Sequence, residues 1–173
     1  MVDAIGMYAN INTDHACICI QDWFALHKSD IPQDFPTELV LESIERLMRF
    51  NVFTFGSRFF LQKNGTAMGT NVGCMYATIY YSYHEEKRLL RLPFVHFYRR
   101  LIDDAFVVID DDSHKYTSLI TIMNRYGPKD KRLKWEATKS GRTVNFLDLT
   151  VSINTEGEIE TTTYQKPRNL YLY

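Results

Sequence analysis

The spacing of apolar and polar residues changes period along this chain, and each change marks an element. Val2-Asp3-Ala4-Ile5 alternates and reads as a short strand. Gly6 to Asn12 forms a loop. From a cap at Asn12 or Thr13 the period becomes helical to about Lys28, with Ala16, Ile20, Trp23 and Phe24 on one face. Residues 30–36 hold two prolines and form a loop. Thr37 caps a second helix to about Asn51, with Val40, Ile44, Leu47 and Met48 inside. Residues 52–55 and 59–62 read as a hairpin turning at Gly56-Ser57. A loop with two glycines, residues 63–70, leads into a long helix over residues 72–90. A second hairpin spans residues 94–109. Ser113 caps a helix that runs to about Tyr126 and stops at Gly127-Pro128. Residues 133–138, 144–153 and 159–165 are predicted strands, with turns at Ser140-Gly141 and Glu156-Gly157. This order predicts an α+β fold, an antiparallel sheet with helices packed on one face, in a single domain over residues 1–173.

The second hairpin carries the chemistry. In Phe97-Tyr98-Arg99-Arg100-Leu101-Ile102-Asp103-Asp104-Ala105-Phe106-Val107-Val108-Ile109, two adjacent carboxylates separate two strand-forming runs rich in aromatic and β-branched residues. The simplest arrangement puts both carboxylates at the hairpin tip. Asp is common in turns, so the doublet alone also suits a solvated turn. Carboxylates so placed suit Mg²⁺, which takes oxygen ligands. Two such ions, about 3.5–4 Å apart, can clamp both oxygens of a phosphoryl transfer. Asp3 would join them if its strand lay beside the hairpin. The loop Gly65-Thr66-Ala67-Met68-Gly69-Thr70 precedes a helix, a place where backbone approaches a nucleotide or template strand closely.

Composition narrows the classes. The chain has 173 residues and is 45% hydrophobic and 14% aromatic, enough for a sizeable core and too apolar for disorder. No apolar run approaches the ~20 residues of a membrane span, and there is no secretory signal, so no membrane partner is expected. Cys17, Cys19 and Cys74 follow no framework spacing and suggest a reducing, intracellular compartment. The net charge of −1 argues against a basic, stand-alone nucleic-acid binder, so any such binding rests on local patches. Asp110-Asp111-Asp112 reads as a solvated turn that favours the next helix N-terminus. His15 and Cys19 share a helix face near Cys17, which suits core packing better than a metal site. In the tail, Tyr164 to Tyr173, Lys166 and Arg168 are interleaved with aromatics, a pattern suited to backbone contact and base stacking.

Taken in order, Asp3-Ala-Ile-Gly-Met-Tyr8-Ala-Asn10-Ile11, Gly65-Thr-Ala-Met-Gly69-Thr70, Ile102-Asp103-Asp104 and Asn145-Phe146-Leu147-Asp148 resemble the palm motifs of reverse transcriptases. The likeness is strongest to those of Penelope-like retroelements, relatives of telomerase reverse transcriptase, and Tyr164-Gln-Lys166-Pro167 resembles that family too. The resemblance spans nearly the whole chain. It implies a right-hand polymerase palm and an RNA-directed DNA polymerase activity, a nucleotidyltransferase using two Mg²⁺ (or Mn²⁺) ions. Asp3, Asp103 and Asp104 would be the catalytic metal ligands. Tyr8 would lie under the incoming sugar, and Met68, Gly69 and Thr70 would contact the nucleotide. Lys63, Gly65, Phe146, Leu147, Lys166 and Arg168 would contact nucleic acid, and Lys134 or a nearby lysine would lie near the pyrophosphate. The implied partners are a primer-template and a deoxynucleoside triphosphate, and the implied location is the nucleus.

The chain also departs from the family pattern. Leu101 stands where the family usually has Tyr, and Asn71 and Gly73-Cys74 stand where prolines are common. Met1 lies two residues before the first acidic motif, so the fingers are expected to be absent from this sequence, and no recognisable thumb follows. A sheet surface left uncovered in this way favours self-association into a homo-oligomer. The alternative reading is a non-catalytic, retroelement-derived remnant that binds nucleic acid or a protein partner.

Overall fold

In a computed structural model, which describes residues 1–165, the chain is α+β, with nine strands in three antiparallel sheets and four α-helices among the described residues. In chain order these are β1 (Val2–Ile5), α1 (Thr13–Leu26), α2 (Thr37–Arg49), β2 (Val52–Phe55), β3 (Arg58–Leu61), α3 (Gly73–His84), β4 (Val95–Leu101), β5 (Asp104–Ile109), α4 (Ser113–Met123), β6 (Lys134–Ala137), β7 (Thr143–Phe146), β8 (Leu149–Ile153) and β9 (Ile159–Thr163). The main sheet has the order β4-β5-β1-β6, so the first strand sits between strands from the second half of the chain. The hairpin β2-β3 stands apart, and β7-β8-β9 form a third sheet.

Strand alternation explains the layering. Val2 and Ala4 point to one face of the main sheet with Tyr98, Ala105 and Trp135, and all five are buried. Against that face pack Ala16, Cys19 and Ile20 of α1, Tyr76, Ala77, Tyr80 and Tyr81 of α3, and Leu119 and Met123 of α4. The core is rich in tyrosine, and His84 lies within it, 3% exposed, its ring near-parallel to Tyr126 at 5.2 Å. Burial, with the charges of His15, Arg88 and Lys87, pushes His84 down to about 3, so the ring is neutral.

The caps follow local chemistry. Asn12 accepts a bond from the His15 amide at 2.9 Å and starts α1. At α4 the cap is Asp112, not Ser113, its carboxylate accepting from the His114 and Lys115 amides. Asp110 bonds His96 and Lys115, so the acidic run both caps and anchors the helix start. Thr37 begins α2 without capping it; the cap position is Pro36. Of the residues expected inside α2, Met48 is buried and Leu47 is exposed.

Two expectations are corrected by the backbone. The segment 144–153 is not one strand: it folds into β7 and β8 across a two-residue turn, Leu147-Asp148. The long helix after residue 72 keeps α geometry only to His84 and then widens to a π-helical turn, Glu85–Leu89, where the Leu90 amide reaches back to the Glu85 carbonyl at 2.9 Å.

Candidate active site

The three acidic residues converge at one end of the main sheet. The turn of the β4-β5 hairpin is Ile102-Asp103, and Asp104 opens β5 opposite Leu101. Asp3 pairs directly across from Asp104, and the Ala4 amide donates to the Asp103 carbonyl at 2.9 Å. The row Leu101–Asp104–Asp3–Glu136 therefore crosses all four strands on the face opposite the helices. Asp103 stands at the turn beside it. Glu136 is a fourth carboxylate that sequence reasoning missed. Its alternation with Trp135 was visible, but its partner across the sheet was not.

Like charges this close repel. Burial first, then Asp103, Asp104 and Glu136, push the Asp3 carboxyl above its ordinary value. No cationic side chain among the described residues is paired with Asp3, Asp103 or Asp104. Carboxylates are the hard oxygen donors that Mg²⁺ takes, but among the described residues the three ligating side chains whose ligand atoms lie within 4.8 Å of one another are His15, Cys19 and His84, not these.

A buried ion pair fixes the turn from below. Arg100 on β4 donates to Glu85 of the π-helical turn, its Nε to Oε1 at 2.5 Å and its Nη2 to Oε2 at 3.2 Å. The side chains of the two are 4% and 7% exposed. The same guanidinium donates to the Thr78 carbonyl at 3.1 Å, and its Nη1 donates to the Ile102 carbonyl at 2.9 Å, inside the Asp103 turn. Tyr98 adds a bond from its hydroxyl to Glu85 at 2.7 Å. The turn is thus tied to the helix layer through one side chain. Ile102 itself has φ +55°, unusual for a β-branched residue. Leu147 repeats that conformation at φ +55° in the Leu147-Asp148 turn, so both hairpins turn on an aliphatic residue followed by Asp.

The loops after β1 and before α3 are joined. The Thr66 amide donates to the Tyr8 carbonyl at 2.8 Å and the Gly65 amide to the Ile11 carbonyl at 3.1 Å. Gly65 has φ +77°, and a Cβ there would meet the Tyr8 carbonyl oxygen at 2.9 Å, so this contact requires glycine. Burial first, then the Cys74 thiol and the Asp103 charge, push the Tyr8 phenol up, so it stays protonated. Met68 and Gly69 are exposed at the loop crest, and Thr70 bonds the Ala67 carbonyl at 3.2 Å. Lys63 is exposed at the start of the same loop.

Phe146 reaches the carboxylate face from the third sheet. Its ring lies 5.6 Å from that of Phe106, which alternation places on the same face as Asp104. Leu147 is exposed at the neighbouring turn. Lys134 shares the face with Glu136, opposite Ile5. Lys166 and Arg168 lie outside the described residues. A cavity of about 480 Å³ lies between β5 and the third sheet, lined by Phe106, Val108, Val144, Val151 and Ile159; none of the three aspartates lines it.

No helix among the described residues is long and apolar enough to cross a membrane. Compared with known proteins, the chain matches no protein-family model and no curated protein.

Proposed function

We propose that this chain is a reverse-transcriptase-like palm that adds deoxynucleotides to a primer 3′-hydroxyl, with Asp3, Asp103 and Asp104 as the metal-holding carboxylates. The observation that carries the reading is the direct pairing of Asp3 with Asp104, with Asp103 hydrogen-bonded through its backbone to Ala4. Residues distant in sequence meet at one sheet end, and among the described residues no cationic side chain is paired with them. That costs stability and is expected where charge serves chemistry.

Bound there, Mg²⁺ would lower the pKa of the attacking hydroxyl and balance charge on the leaving pyrophosphate. The chain's own residues position the reactants. Asp3 and Asp104, on adjacent central strands, hold their carboxylates on rigid elements, and Arg100 and Glu85 brace the turn that holds Asp103. Tyr8, on the loop that follows the Asp3 strand, would limit the space for a sugar substituent. The Gly65-to-Thr70 loop, fastened to the Tyr8 backbone, presents its exposed crest to nucleotide and template. Phe146 supplies an apolar edge on the side where a primer end would rest.

The test is primer extension on RNA and DNA templates with Mg²⁺ or Mn²⁺. Extension by the wild type that disappears in a folded Asp103→Asn/Asp104→Asn variant is the expected result. A folded wild type that extends no primer with either metal would overturn catalysis by this chain and leave a binding role. The exposed apolar hairpin β2-β3 is the observation that favours that second reading.

A further inference from the structure

A second group of ligating side chains lies in the helix layer, on residues separate from the carboxylate row. His15 and Cys19 are one turn apart on α1 and share a face. His84 ends α3, where the helix widens into its π turn. One ligand atom from each of the three lies within 4.8 Å of the others. Cys19 Sγ is 3.5 Å from His15 Nδ1 and 3.8 Å from Nε2. The rings of His15 and His84 are near-parallel at 5.5 Å. Cys19 and His84 are buried, 2% and 3% exposed, and His15 is half-buried. The Nε2 of His84 has no hydrogen-bond partner among the described residues. A buried imidazole nitrogen without a partner is costly and calls for a reason.

Packing alone accounts for the burial but not for the orphaned nitrogen. A ligand that bonds nitrogen and sulfur together accounts for both. Tetrahedral Zn²⁺ has Zn–S of about 2.3 Å and Zn–N of about 2.0–2.1 Å, which puts a sulfur and a nitrogen ligand about 3.6 Å apart. The Cys19 Sγ–His15 Nε2 separation, 3.8 Å, is close to that value, and side-chain rotation closes the wider spread to His84, which is within 4.8 Å. Two imidazoles and a thiolate form a donor set that favours zinc over Mg²⁺. The second shell is present as well. With His15 ligating through Nε2, its Nδ1–H donates to the Tyr80 hydroxyl, 2.8 Å away.

We infer that His15, Cys19 and His84 form a Zn²⁺ site that fastens α1 to α3 behind the main sheet, with water as the fourth ligand. Binding converts the Cys19 thiol to a zinc-bound thiolate and releases its proton to solvent; nothing is oxidised or reduced. The site holds the helix layer against which the Asp103 turn is braced, and it stands independently of any polymerase activity.

The experiment titrates the full chain, without a histidine tag, with Co²⁺ as the optical probe and measures bound zinc by elemental analysis. One equivalent of Co²⁺ should give a thiolate-to-cobalt charge-transfer band and the visible bands of a tetrahedral centre, both displaced by Zn²⁺. Cys19→Ser and His84→Gln should lose these bands. Cys74→Ser, which alters the exposed thiol, and Asp103→Asn/Asp104→Asn should keep them. Zinc should raise the wild-type melting midpoint by about 5–10 °C and leave the Cys19→Ser midpoint unchanged. Circular dichroism checks folding, and where a variant does not fold the wild-type titration decides. A folded wild type with no stoichiometric thiolate band overturns the site, as does a band that survives in Cys19→Ser.

Discussion

Asp3 shows how one residue is shaped by its neighbours. Its carboxylate faces Asp104 on one side and Glu136 on the other, with Asp103 at the adjacent turn. Its folded pKa is raised, so the fold favours the protonated form. The stability Asp3 contributes therefore falls as pH rises from its ordinary value of 3.8 through the raised one. At neutral pH the residue is a liability unless a cation balances it. Asp3→Asn is expected to raise the melting midpoint by about 1–2 °C in EDTA, a small gain because the group is only partly buried and water screens its neighbours. Adding Mg²⁺ should then stabilise the wild type and not the variant. A calorimetric scan in which Asp3→Asn melts below the wild type in EDTA would contradict the repulsion argument. The Asp103-Asp104 doublet stood out in the sequence because it separates two apolar runs; Asp3, in an alternating strand, joined it only on the condition that its strand lay beside the hairpin, which the Asp3–Asp104 pairing meets. Glu136 did not stand out, because an exposed Glu in an alternating strand looks like any solvent-facing residue until the register is known.

The β4-β5 hairpin is the element on which the site depends. Arg100 and Glu85 are both buried, so removing one leaves a charge in the core. Arg100→Met is expected to cost about 3–5 kcal/mol in urea unfolding, whereas Arg100→Met combined with Glu85→Leu should cost much less. Equal losses in the single and double variants would mean the pair is not what holds the turn. The turn itself is strained at Ile102. Asn tolerates this left-handed conformation better than a β-branched residue, so Ile102→Asn should stabilise the chain by about 1 kcal/mol, read from the urea midpoint. A loss of stability would show that the Ile102 side chain contributes more by packing than its backbone costs. These two turns also explain what the sequence concealed. Gly56-Ser57 announces its hairpin because glycine suits positive φ. Leu147-Asp148 has no such marker, and a run of apolar and β-branched residues on both sides reads as one strand. At Ile102-Asp103 the doublet of acids betrayed the turn but not its register: only Asp103 is in the turn, and Asp104 is the first residue of β5. At Leu147-Asp148 a single Asp did not betray the turn.

At the scale of the molecule, the helix layer, the α+β class and the order of elements follow from period and caps. The division into three sheets does not, since it depends on which strands pair. The same limit hid the standing of β2-β3. Phe55 and Phe59 are each 78% exposed, and Phe53 stacks on Phe60 at 5.5 Å. Such residues add little to the fold. Phe55→Lys/Phe59→Lys should leave unfolding free energy within about 0.5 kcal/mol of wild type, and light scattering should show any self-association reduced. A larger loss of stability would mean that the hairpin is covered in solution. The homo-oligomer expected from an uncovered sheet surface is tested by the same measurement.

The central position of β1 has a consequence for how the protein acquires its shape. Val2 and Asp3 find their neighbours at Ala105 and Asp104, and again at Ala137 and Glu136. The helices α1 and α3 and the β4-β5 hairpin can form from nearer segments, but the carboxylate row closes only when the two ends of this long span meet. Contacts so distant along the chain are slow to form. During synthesis the first strand waits, unpaired, until most of the sequence has followed it. In refolding, helical signal should therefore recover before competence at the carboxylate face, and the interval between the two is the time this strand spends without partners.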